Sequence, residues 1–98
     1  MIVNVVMLKL KERTEENIAA LQQKLLEMNG NIEQLKEIKV EANIRSGATG
    51  FDILMITKYD SMREFNEYMS HPLHMSVGQY VQEVSEQAAS VCYEEKCG

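Results

Sequence analysis

Two hydrophobic periodicities alternate along this chain, and their order predicts its architecture. Ile2 to Leu10 is β-branched and apolar with both alternating sets greasy: Val3, Val5 and Met7 on one face, Ile2, Val6, Leu8 and Leu10 on the other. A strand of that kind is covered on both sides. After the charged break Lys11 to Arg13, Thr14 offers a helix cap ahead of Glu15 and Glu16. Ile18, Leu21, Leu25 and Met28 then form one stripe, and Asn29-Gly30 ends it. Leu35 to Ile44 alternates, with Ile38, Val40, Ala42 and Ile44 opposite Glu37, Lys39, Glu41 and Asn43, as a half-exposed strand does. A turn over 45–50 leads to a third strand, Phe51 to Tyr59, apolar on both faces except at Asp52.

Asp60-Ser61 caps a second helix whose buried side is Met62, Phe65, Tyr68 and Met69, and which stops at Ser70-His71 because Pro72 disfavours helical geometry before it. Pro72 then opens a further helix carrying Leu73, Val77, Tyr80, Val81 and Val84 to about Gln87, and Ser90 to Glu94 reads as a short last strand. The order β-α-β-β-α-(α)-β is the ferredoxin-like split βαβ plan, an α+β fold with helices on one face of a four-stranded antiparallel sheet. Strands one and three, expected at its centre, are apolar on both faces. The second face therefore needs a cover, and a second copy of the chain is the simplest one, closing a dimeric α/β barrel by sheet-to-sheet packing.

At 98 residues, 45% of them hydrophobic and 26% charged, the chain is expected to form one domain over 1–98. The formal charge of −5, with basic residues scattered, argues against nucleic acid and anionic membrane as partners. The apolar run Ile2 to Leu8 is too short to span a bilayer and has no signal-peptide flanks, so a cytoplasmic location is expected. Cys92 and Cys97, with four residues between them, match neither a redox nor a zinc motif; they are read as a small strand residue and a tail residue with free thiols. Most of the methionines, among them Met7, Met28, Met55, Met62, Met69 and Met75, are expected to fill core space, with a shape-tolerant pocket as the alternative.

Val5-Val6-Met7-Leu8-Lys9-Leu10, Phe51-Asp52-Ile53-Leu54 and above all Glu67-Tyr68-Met69-Ser70-His71-Pro72-Leu73-His74 resemble the stress-responsive α/β-barrel (Dabb) family, over about Ile2 to Glu94. The resemblance implies a dimeric barrel, in agreement with the strand faces. Many members share a fold rather than an activity, while plant members include polyketide cyclases that promote an intramolecular aldol condensation. In those cyclases the second His of the string works with the Tyr six residues before it, which correspond to His74 and Tyr68. An imidazole could take an acidic α-proton from a β-keto substrate while a phenol holds the enolate oxygen. The cyclases also carry histidines where this chain has Asn4 and Asp52, so any network here differs.

Each of these residues has a plainer reading beside the chemical one. His74 can pack on Tyr68 and fix a helix crossing, and Tyr68 can be a core aromatic with a satisfied hydroxyl. His71 can bond a carbonyl at a helix end rather than touch a ligand. Asp52, expected beside Asn4, can be a general base, a cation ligand or a residue at a wet barrel mouth. One carboxylate makes a poor metal site, and neither a metal nor a cofactor is expected. The readings that remain are a small-molecule-binding homodimer for an apolar or aromatic ligand, a cofactor-free lyase or cyclase acting on a β-keto or aromatic substrate through His74 and Tyr68, and a small barrel-type monooxygenase.

Overall fold

A computed structural model describes residues 1–45, 47 and 49–96. Seven elements follow in the order β1 (Ile2–Leu10), α1 (Glu15–Leu26), β2 (Glu37–Ala42), β3 (Ile53–Tyr59), α2 (Met62–Met69), α3 (Pro72–Val84) and β4 (Ser85–Glu94). The strands form one antiparallel sheet in the order β2-β3-β1-β4. Thr14 and Ser61 cap α1 and α2, accepting from the N–H groups of Asn17 and Glu64.

The helices cover one face. Ile2, Leu8 and Leu10 of β1 and Ile53, Met55 and Tyr59 of β3 pack beneath Leu21, Leu25, Met28, Tyr68 and Val77. Each such aliphatic burial contributes roughly 1.5–3 kcal/mol. On the other face the register sets Leu54, Met7 and Ala89 in one row, Ile56, Val5 and Val91 in the next, and Lys58, Val3 and Tyr93 in a third. Met7, Val91 and Tyr93 are exposed there while Val3 is covered, so the second apolar face foreseen from the strand pattern exists over β3, β1 and β4, largely bare in the single chain and bordered at β2 by Glu37, Lys39 and Glu41.

Several boundaries differ from the sequence expectation. The third helix stops at Val84 instead of about Gln87, and β4 is ten residues long rather than a short strand from Ser90. Glu86 to Ala89 favour helix locally, but β1 runs back to Leu10 and its ladder needs partners. Pairing extends to Leu10↔Ser85 with a bulge that absorbs Glu86. β2 is shorter than 35–44: Leu35 enters the core ahead of it, and Ile44 is wholly exposed beyond its end. Of the six methionines read mainly as core, only Met28 and Met55 are buried; Met62 and Met75 sit on outer helix surfaces, Met69 is partly exposed where α2 borders a cavity, and Met7 lies on the bare sheet face. Hydrophobic spacing identifies a helix stripe but not its edges, and the two ends of the α2 stripe fall outside the contact. Ser46 and Ala48 of the expected turn, and Cys97 of the expected tail, lie outside the described residues.

Candidate functional site

Where α2 turns into α3, Pro72 starts the new helix and His71 caps it. His71 Nδ1 accepts from the Leu73 N–H at 3.0 Å, so this ring binds the helix that follows it rather than a carbonyl of the helix before. One helical step into α3, His74 Nδ1 lies 3.0 Å from the carbonyl oxygen of Met69 at the end of α2. A carbonyl only accepts, so Nδ1 carries the hydrogen and donates, which leaves Nε2 with its lone pair in the neutral ring. The His74 ring also leans on Tyr68, centroids 4.5 Å apart, and Tyr68 in turn meets Tyr59 at 4.9 Å. The plainer reading of His74 as a brace between two helices is thus part of its geometry.

Burial pushes the His74 pKa below 6.5, helped by the positive charge His71 would carry, while the bond to the Met69 carbonyl pulls the other way. Burial also raises the Tyr68 phenol, against a smaller opposing contribution from the Tyr59 hydroxyl. At neutral pH the site therefore presents an imidazole able to accept a proton and a phenol able to donate one. The Tyr68 hydroxyl rests on the Met28 sulfur at 3.6 Å, a weak acceptor that a ligand oxygen would outcompete.

These groups face a cavity of about 320 Å³ between the helices and the β1–β4 half of the sheet. Val6, Leu8, Leu25, Met28, Met55, Val77 and Val81 give it apolar walls; Asn4, Tyr68, His74 and Ser90 supply polar groups, and among the described residues no Asp, Glu, Lys or Arg lines it. The Asn4 side-chain amide has no hydrogen-bond partner among the described residues, where only its backbone carbonyl is engaged by a side chain, the Thr57 hydroxyl. The structure so brings together three of the residues singled out from sequence: Asn4, Tyr68 and His74.

It does not bring Asp52 to them. The register sets Asn4 opposite Thr57, not Asp52, because β1 and β3 are antiparallel and Asp52 precedes the first β3 residue, at the far end of the sheet. There its carboxylate is buried. It accepts from the Leu10 N–H at 2.9 Å and from Arg13 Nε at 3.0 and 3.2 Å, while Arg13 Nη2 donates to the Gly50 carbonyl at 2.9 Å. The expected wet barrel mouth and Asn4–Asp52 pair are replaced by a structural ion pair whose acceptor capacity is largely taken up. Among the described residues no group of three or more His, Cys, Asp or Glu side chains could hold a metal ion, and no helix is long and apolar enough to cross a membrane.

The family model for the stress responsive A/B barrel domain matches residues 2–95. The chain belongs to this family. Among solved structures it resembles a dimeric protein of unknown function and ferredoxin-like fold from Bacteroides fragilis, at 24% identity over 96% of this chain and 95% of that one, with a TM-score of 0.79. A dimeric ferredoxin-like protein of unknown function from Thermobifida fusca is similar at 17% identity, covering 94% and 88% of the two chains, with a TM-score of 0.82. So is a hydroxynitrile lyase from Passiflora edulis, at 14% identity over 99% and 96%, with a TM-score of 0.82. At such identities the likeness is one of fold. No curated protein matches the sequence.

Sequence reasoning missed Gly78 and Ser90 as cavity residues, whereas Met28, Met55 and Met69, for which a pocket was the alternative reading, do line it. Only Gly78 left a trace, as a glycine in the middle of an otherwise regular helix.

Proposed function

We propose that this member of the stress responsive A/B barrel family is a small-molecule-binding homodimer, with one ligand cavity per subunit and the two bare sheet faces packed on each other. The observation that carries the ligand reading is the convergence of Asn4, Tyr68 and His74 on a cavity that is otherwise apolar except at Ser90 and has no charged side chain among its described lining residues. Asp52 and His71 have no part in it: the polar atoms of the first are engaged by Arg13 and Leu10, and Nδ1 of the second caps α3. The homodimer reading is supported by the apolar rows around Val5 and by the dimeric neighbours from Bacteroides fragilis and Thermobifida fusca. A cytoplasmic location fits both.

The ligand reading is tested by titrating the protein with neutral aromatic compounds and following the quenching of their fluorescence; saturable binding that His74→Ala weakens is the expected result, and no saturation with any of them would end it. For the dimer, Val5→Lys places a charge in the middle of the bare face, opposite Ile56 and Val91. Light scattering should then report a monomer where the parent chain gives twice that mass.

A second reading, a cofactor-free lyase or cyclase, is favoured by one observation. His74 is held through Nδ1 with Nε2 free to take a proton, beside a protonated phenol. A general base so positioned could abstract a hydroxyl or α-proton from a bound ligand while Tyr68 donates to the developing oxyanion. The Passiflora edulis lyase shows that the same fold hosts a lyase. Turnover of β-keto or cyanohydrin compounds that vanishes in His74→Ala would establish this activity, and its absence across both classes would leave binding alone.

A further inference from the structure

Gly78 sits at the middle of α3, where glycine is the least favourable residue after proline. Three ordinary reasons for a glycine fail here. Its φ is not positive, since Gly30 alone among the described glycines has a left-handed backbone. A Cβ built on it meets nothing within 4 Å, so no neighbouring element approaches closely enough to exclude a side chain. It neither starts nor ends the helix, which runs on to Val84. What the position does face is the cavity, whose β4 side carries the small side chain of Ala88, the partner of the core residue Leu8.

We propose that Gly78 is the size-determining residue of the cavity, its missing side chain keeping the α3–β4 wall open for the apolar body of an uncharged ligand whose hydroxyl bonds His74. The inference rests on the ligand-binding reading above and adds the ligand class and the residue that selects for its bulk. The charge state follows from the walls: an ionised group would lose its hydration with no counter-charge to replace it. The hydroxyl follows from three of the four polar side chains, since Ser90 can itself either give or take a bond. His74 Nε2 accepts, while the Tyr68 hydroxyl and the Asn4 amide nitrogen can donate, and a hydroxyl both gives and takes a hydrogen bond. The small wall decides where the rest goes, since the opposite side is filled by Leu25, Met28 and Met55.

Naphthol, a neutral hydroxyl-bearing ring pair, and naphthalene sulfonate, its anionic counterpart, are the probes for fluorescence titration of the parent chain, Gly78→Ala and Gly78→Leu. The parent chain should bind naphthol at least roughly tenfold more tightly than the sulfonate. Gly78→Leu should fill the wall and weaken naphthol by about tenfold or more, with its far-ultraviolet dichroism unchanged. Without ligand, Gly78→Ala should raise Tm by a few degrees, on the order of 4 °C, because a helix gains from the substitution and no packing opposes it. Naphthol binding unchanged in both variants overturns the role of Gly78 while leaving the ligand reading intact. Equal binding of the sulfonate overturns the uncharged class. A lowered Tm in Gly78→Ala would show that glycine is needed for packing, and decides the matter even if Gly78→Leu does not fold. If the parent chain binds neither probe, the ligand-binding reading itself fails and this inference with it.

Discussion

Two polar groups interrupt the apolar strands at opposite ends of the same sheet, and they differ in how their hydrogen-bonding capacity is used. Asp52 accepts from the Leu10 N–H and from Arg13, whose other arm is fastened to Gly50, so the cluster is closed on itself. The set at the other end is open: the Asn4 amide has no partner among the described residues, Tyr68 leans on a thioether, and His74 uses one ring nitrogen of two. A buried polar residue is thus informative only after its bonds are counted. A satisfied one is architecture, and an unsatisfied one facing empty space is a place for a ligand.

The contrast is most easily broken at Asp52. Asp52→Ala removes the acceptor for a strand N–H and leaves the Arg13 guanidinium without its carboxylate, and it should cost about 2–3 kcal/mol, read as a shift in urea midpoint. Arg13 is part-exposed, so water recovers some of that loss. Naphthol affinity below the unfolding transition should not change. Were ligand binding to fall instead, the closed cluster would be part of the site.

At the open end the balance should reverse. His74→Ala loses one bond to Met69 and a ring contact, a modest stability effect, but should weaken naphthol about tenfold, near 1.4 kcal/mol, by titration. A variant that loses its fold before its ligand would make the brace between α2 and α3 the main role of this histidine.

A smaller effect is expected from pH. The folded His74 value lies below 6.5, so the neutral ring is the form the fold favours. Its contribution to stability is complete above 6.5 and is lost as the pH falls through the folded value, because the unfolded chain takes up the proton first. Between pH 7 and the acid limb the urea midpoint of the parent chain should therefore drop more than that of His74→Gln, which has no such proton to bind. A parallel decline of the two would show that this ring is not held neutral. Asn4→Leu should change stability least, by about 1 kcal/mol or less, since it breaks no side-chain bond and adds apolar contact, while reducing the room for naphthol.

Helix caps at Thr14 and Ser61, the Pro72 start, the double-sided strands and the Tyr68–His74 pair on two successive helices were all legible, because each rests on residues near one another in sequence. Where the expectation failed, the deciding partner was distant. Ser85 to Ala89 became strand because β1 offered a ladder, and Asp52 became structural because Arg13, 39 residues away, reaches it.

By itself, then, the sequence determined the order of elements, the α+β plan, the family and which histidine stands beside which tyrosine. Those depend on periodicity, on capping and on local spacing. Only the tertiary structure decided that Asn4 shares a cavity with that pair and Asp52 does not, and that Gly78 borders empty space. Strand register and the gaps left between packed layers arise from contacts summed over the whole chain, and no local pattern encodes where such a gap will remain.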